Sequence, residues 1–250
     1  MNRIIRTGAL VSGGGTNLQA IINACYKKNI DAEIVFTGSD NPYAKGLKRA
    51  EKAGIDTFIV DYGTIIQEFK NNPGAFSLPD DFDIKEIMTK QRLIQKDADP
   101  DKIEFFLKSR VIAEKLLLDR ILPYKIDLLI LAGFMRTLTP YFIDKINEGS
   151  DHHKIMNIHP SLLPSFPGTD GYGDTFRYGC KIGGCTVHFI DYGEDSGPII
   201  GQRAFVIEDD DTLETVKQKG LALEWQLYSE CIQKFAHNFS HSILHNDESL

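Results

Sequence analysis

Several features are scarce in this chain, and each scarcity narrows what it can be. Cysteine is thin: Cys25, Cys180, Cys185 and Cys231 are scattered over 250 residues, and Cys180 and Cys185 do not make a paired zinc-ligand spacing. Reduced thiols in a cytoplasmic protein are the expectation. Positive charge is not in excess: the net charge of −7 argues against a general nucleic-acid or acidic-membrane surface, although a local basic pocket would survive it. No run of apolar residues approaches a membrane span, and Met1-Asn2-Arg3 does not open an apolar signal core. Internal repeats are absent. With 42% hydrophobic and 25% charged residues, the balance is that of an ordinary globular protein with one substantial α/β core.

The first sixty residues alternate strand and helix. Thr7 to Val11 reads as a strand and Leu18 to Lys27 as a helix, with Leu18, Ile21, Ile22 and Cys25 on one face. Ala32 to Thr37, Ala44 to Ala53 and Thr57 to Val60 follow as strand, helix and strand, which implies a parallel sheet with right-handed crossovers. The stretch 62–104 is polar and broken by Asn72-Pro73-Gly74 and Pro79-Asp80-Asp81, and reads as a surface insertion of short helices. Helical spacing resumes through Phe105, Val111, Ile112, Leu116 and Leu117. Asp127 to Ala132, almost wholly apolar, suits a central strand buried on both faces. Ile155 to Ile158, Gly184 to Ile190 and Arg203 to Val206 complete the strands; Pro164 to Gly179 reads as loop, and a last helix spans roughly Thr212 to Ala236. The expected fold is a doubly wound, mostly parallel α/β sheet with helices on both faces. One domain, 1–236, carries the helical insertion, and 237–250 is a tail.

Three constellations could carry chemistry. Ser12-Gly13-Gly14-Gly15-Thr16-Asn17 joins a strand to a helix, and its N–H groups with the helix dipole would hold an anion. It has no Walker lysine, and Leu18 replaces the third glycine of the dinucleotide fingerprint, so a phosphate monoester fits better; a tight turn that binds nothing is the plain alternative. Asn157-Ile158-His159 ends a strand before Pro160, placing an amide and an imidazole on one side of its carboxyl end. Such a pair suits an oxyanion, though a turn cap beside a packed histidine would look the same. Asp191 to Gly197 forms an acidic glycine-flanked loop from which Asp195 could orient His159, while His188 reads as packing or as support behind the site. His237, His241 and His245 share helical spacing, but a metal site in that Asn/Ser-rich tail is not expected.

Together the segments SGGGTNLQAII, LAGFMRTLTP, NIHPSLLPSFPG and GCTVHFIDYGEDSGPIIGQ resemble the glycinamide ribonucleotide formyltransferases of the folate-dependent formyltransferase superfamily. The tRNA-directed relatives normally carry a further C-terminal domain, for which nothing here is a match. The resemblance implies formyl transfer from 10-formyltetrahydrofolate as co-substrate to the amine of a small-molecule ribonucleotide, without metal, nucleic acid or membrane, by a monomer or homodimer. It implies catalytic roles for Asn157, His159 and Asp195 and phosphate binding at Gly15, Thr16 and Asn17. It also implies ribose or substrate contacts at Glu224 and Arg110, and a folate wall at Met135, Arg136 and Leu138. The chain departs from the pattern in its long insertion, in its length between Thr212 and Glu224, and at Asp170, where a histidine is typical.

Overall fold

The computed structural model describes residues 3–94 and 98–247, with side chains through 239. Seven strands form one sheet: β1 (Ile5–Val11), β2 (Ala32–Ser39), β3 (Asp56–Ile59), β4 (Leu128–Leu131), β5 (Ile155–His159), β6 (Ile182–Phe189) and β7 (Ile199–Val206). Their order is β3-β2-β1-β4-β5-β6-β7. Pairing is parallel from β3 through β5, and antiparallel between β5 and β6 and between β6 and β7. The α/β sheet with helices on both faces is therefore as expected, with the two antiparallel strands at one edge.

The helices are α1 (Thr16–Tyr26), α2 (Lys45–Lys52), α3 (Tyr62–Asn71), α4 (Ile84–Lys90), α5 (Pro100–Ile121), α6 (Pro140–Asn147), α7 (Gly171–Tyr178) and α8 (Leu213–Asp247). Alternation along β4 explains the apolar run there. Leu128 and Ile130 enter a core layer shared with α1, α2 and α8, while Leu129 and Leu131 enter the opposite layer shared with α3, α5 and α6. Each such side chain contributes about 1.5–3 kcal/mol on burial.

Three elements differ from expectation. The insertion is not wholly superficial: Tyr62 is fully buried, and Ile65 and Phe69 of α3 join the second core layer. Helix α6 begins with Pro140 after Thr139 and buries Phe142, Ile143 and Ile146, a helical stripe that its shortness obscures in the sequence. Helix α7 lies within the stretch that reads as loop. Gly171 and Gly173 depress its propensity, but Tyr172 anchors it against α8, where a Cβ on Gly220 would stand 2.1 Å from the ring. Gly179, with φ 83°, ends it.

Helix α8 runs past Ala236 to Asp247; the side chains of His241 and His245 lie outside the described residues. All four cysteines are free thiols. Two features of α8 matter for the site. The buried Tyr228 hydroxyl lies 3.1 Å from the Leu131 carbonyl oxygen and 2.8 Å from that of Met156, bridging β4 and β5 beneath the crevice. On its other face Trp225, 41% exposed, lines a groove with Ala20, Asn23 and Ala24 of α1.

Candidate active site

Open α/β sheets bind ligands beyond the carboxyl ends of their strands. Here that end holds a cleft of about 470 Å³ lined by Asn17, Leu138, Asn157, His159, Asp195 and Glu224, among others. Strand β5 places Asn157 and His159 on the same side, with Asn157 opposite Leu131 of β4 and His188 of β6.

The His159 ring is 3% exposed and has an acceptor at each nitrogen. Nδ1 is 3.1 Å from Oδ2 of Asp195, and Nε2 is 2.8 Å from the Phe166 carbonyl oxygen. Only a ring carrying protons on both nitrogens donates to both, so the surroundings are shaped for an imidazolium. Both partners come from strained backbone: Phe166 and Asp195 have φ 53° and 49°. The Asp195 carboxylate also accepts the Gly168 N–H at 2.9 Å. Gly171 packs against this group so closely that a Cβ there would meet the Pro160 carbonyl oxygen at 2.7 Å and His159 Nε2 at 3.1 Å.

His188 is fully buried beside the same carboxylate, Nε2 standing 3.6 Å from Asp195 Oδ1. Its Nδ1 donates to the Phe189 carbonyl oxygen at 2.9 Å, which leaves Nε2 to accept from the Asn157 amide at 3.4 Å. Burial lowers the His188 pKa, in keeping with this neutral tautomer. The second N–H of Asn157 remains for a ligand in the cleft.

A polar end of the cleft lies between α1 and α8. Asn17 Nδ2 donates to Glu224 Oε2 at 2.7 Å, and the Tyr172 hydroxyl donates to Glu224 Oε1 at 2.6 Å. Burial and the adjacent Glu224 charge push the Tyr172 pKa far up, so it stays a donor. Asn17 Oδ1 is buried without a partner. Gly15 turns the chain into α1 with φ 68°, and its α-carbon packs so closely on Gly46 that a Cβ would come within 2.6 Å. No side chain caps α1, so the first-turn N–H groups at Thr16 and Asn17 are not consumed that way. Gly15 and Thr16 border the cleft without lining it, whereas Asn17 does line it.

The opposite end is apolar, with Phe134, Met135, Leu138 and Ile190. Arg136 lines it too, but its guanidinium is paired with the buried Asp40 carboxylate and lies over the Tyr62 ring, 5.7 Å from the centroid. It is therefore a braced cation and not a free surface one. Arg110 does not line the cleft: it is half-buried on α5, over the Phe106 ring, with Nε unpartnered. Burial, and then the nearby Arg136 charge, lower its pKa.

Tyr172, Leu93 and Lys217 are cleft residues that the sequence pattern does not single out. Tyr172 sat in an apparent loop. Leu93 comes from the insertion. Lys217 shares the cleft face of α8 with Leu221 and Glu224, a spacing of one helical face that was visible once the helix was assigned. At the rim, Arg177 pairs with Asp170 at 2.8 Å and holds that carboxyl below its usual range.

Known proteins share this arrangement of chain. A phosphoribosylglycinamide formyltransferase of Bacillus subtilis is 32% identical over 223 residues, covering 89% of this chain and 90% of the relative. The trifunctional purine biosynthetic protein adenosine-3 of Gallus gallus is 32% identical over 232 residues, 93% of this chain but 18% of that longer protein. The crystal structure of glycinamide ribonucleotide transformylase 1 from Symbiobacterium toebii superposes with a TM-score of 0.70 at 33% identity, covering 94% of this chain and 89% of that one. The family profile described as formyl transferase matches residues 5–232, and on that match the chain belongs to the formyl transferase family.

Proposed function

We propose that this protein transfers the formyl group of 10-formyltetrahydrofolate to the primary amine of glycinamide ribonucleotide. The observation that carries the reading is the Asn157, His159 and Asp195 cluster at the open end of β5, in a member of the formyl transferase family. The names of the relatives specify the acceptor. In this reading the ribonucleotide phosphate takes the Gly15, Thr16 and Asn17 end, and Glu224 accepts from the ribose hydroxyls. The pterin lies on the apolar wall of Met135 and Leu138, with Arg136 facing the anionic tail. Arg110, which does not line the cleft, is given no substrate contact in this reading.

The chemistry follows from the geometry. The amine nitrogen attacks the formyl carbon, a C–N bond forms, and the carbonyl oxygen becomes an oxyanion. The free N–H of Asn157 donates to that oxygen, and the His159 imidazolium, held by Asp195 and the Phe166 carbonyl, places positive charge beside it. Collapse breaks the bond to N10 of the folate. The amine loses one proton and N10 gains one, and Asp195 at the cleft wall can pass it through water. The four unpaired thiols fit a cytoplasmic setting, and we read the enzyme as a monomer or homodimer working on small molecules alone.

The test is transfer from 10-formyltetrahydrofolate to glycinamide ribonucleotide by the whole chain. Wild type should turn over, and His159→Ala or Asn157→Ala should lower kcat about 10²–10³-fold. Turnover with another amine, and none with this ribonucleotide, would overturn the acceptor and keep the reaction class.

A further inference from the structure

The insertion reaches the cleft, and its path there is specific. Just after α4 stands Gln91, a residue 7% exposed, whose Oε1 accepts from the N–H groups of Leu93 and Ile94 at 2.9 Å each. This side chain builds a tight turn that presents Arg92 on one side and Leu93 on the other. The Arg92 N–H donates to the Tyr192 carbonyl oxygen at 2.8 Å, and Arg92 forms a parallel bridge with Gly193. Its guanidinium donates to Asp191 Oδ2 at 2.8 Å. The other oxygen of Asp191 accepts from Gly193 N–H at 3.1 Å and Ser196 Oγ at 2.7 Å, and so holds the turn that ends at Asp195. A second tie lies alongside, where Lys90 and the Tyr192 hydroxyl share the Asp144 carboxylate. Ile94 packs with Ile87, Ile103 and Leu107, which roots the segment in the insertion's own small core.

We propose that residues 91–94 are part of the active site: Arg92 is a positioning residue for the Asp195 loop, and Leu93 is a wall of the apolar end that contacts the flat pterin of the donor. Two observations converge on it. Asp195 sits at φ 49°, a backbone state that relaxes unless its neighbours hold it; His159 and Gly168 hold its carboxylate, and the Arg92 bridge at Gly193 holds the loop backbone two residues before it. Leu93 lines the cleft together with Ile190, Gly193, Glu194 and Asp195, and its neighbour Arg92 is bonded to the Tyr192–Gly193 stretch of that same loop. The Leu93 assignment rests on the formyl-folate reading above; the bracing of the loop does not.

Two measurements separate them. Hydrogen–deuterium exchange over residues 190–197 needs no substrate: Arg92→Ala should speed it roughly three- to five-fold, as expected for an exposed ion pair, and Arg92→Lys should restore most of the protection. With wild type active, Arg92→Ala should lower kcat about five- to ten-fold while the KM for the amine stays put, because a displaced carboxylate affects the transition state and not ground-state binding. Tetrahydrofolate binding by calorimetry should weaken about ten-fold in Leu93→Ala. Exchange and kcat unchanged in Arg92→Ala would overturn the bracing role. Undiminished tetrahydrofolate affinity in Leu93→Ala, or no affinity in wild type, would overturn the Leu93 contact. Absent transfer by wild type would instead count against the proposed reaction and leave the exchange result standing.

Discussion

The environment of His159 is set by residues that tolerate little change. Its two acceptors come from left-handed positions at Phe166 and Asp195, and Gly171 stands where any side chain would collide with Pro160 and the ring. Gly171→Ala should therefore shift the imidazole and lower kcat about 10–100-fold, with overpacking costing about 1–3 kcal/mol in urea unfolding. A kcat equal to wild type would show that the ring does not need this contact. At the other end, Tyr172→Phe removes one of the two donors to the buried Glu224. The expected loss is about 1–3 kcal/mol of stability, with a higher KM for the ribonucleotide and an unchanged one for the folate. The amide, imidazole and carboxylate of the cluster were legible in sequence because their chemistry is carried by side-chain identity. Tyr172 was not, since its role arises only when α7 docks on Gly220 of α8. Nor was Arg136's pairing with Asp40, which joins residues from distant loops.

Between elements, Glu114 on α5 is the most consequential buried acid. It is fully buried and accepts both the backbone N–H (2.7 Å) and the hydroxyl of Thr139, the residue just before α6. Burial pushes its pKa up from 4.5 to about 7, against the opposing effect of the Thr139 hydrogen bonds. A raised folded-state pKa means the stabilisation is complete below about pH 4.5 and is lost as pH rises through about 7. Wild type should thus lose about 1 kcal/mol of urea stability between about pH 6 and about pH 8 from this group, and Glu114→Gln should flatten that part of the profile. A Gln variant with the same slope would assign the pH dependence elsewhere. Most elements were readable from periodicity, β4 best of all because its run is apolar on both faces. Helices α6 and α7 are not: α6 is a short helix following directly on the 133–139 turn, and Gly171 and Gly173 disguise α7 as loop.

The whole molecule is one sheet between two apolar layers, and its stability should be graded from centre to edge. Strands β1, β4 and β5 have partners on both sides, and Leu128–Leu131 are at most 3% exposed. Their amides should exchange only on global unfolding, while β3 and β7, each with one free edge, exchange earlier. Protection in β7 equal to that of β4 would mean that the β7 edge is covered in solution. The sheet order follows from the alternation of strand and helix in the first half. The antiparallel edge does not, since the β6–β7 link, residues 190–198, carries glycines that signal a turn without giving its partner.

The single tryptophan has a use beyond packing. Trp225 follows Glu224 directly, yet faces the outer groove between α1 and α8 and not the cleft. The same two helices are joined on the inside by the Asn17–Glu224 hydrogen bond. A phosphorylated ligand competing for Asn17 and Glu224 must loosen or replace that link, and the indole sits on the far side of the joint. The protein thus carries a built-in optical gauge, with one emitter and no background from a second indole. Occupancy of the polar end would be read as a change in emission at constant folate concentration.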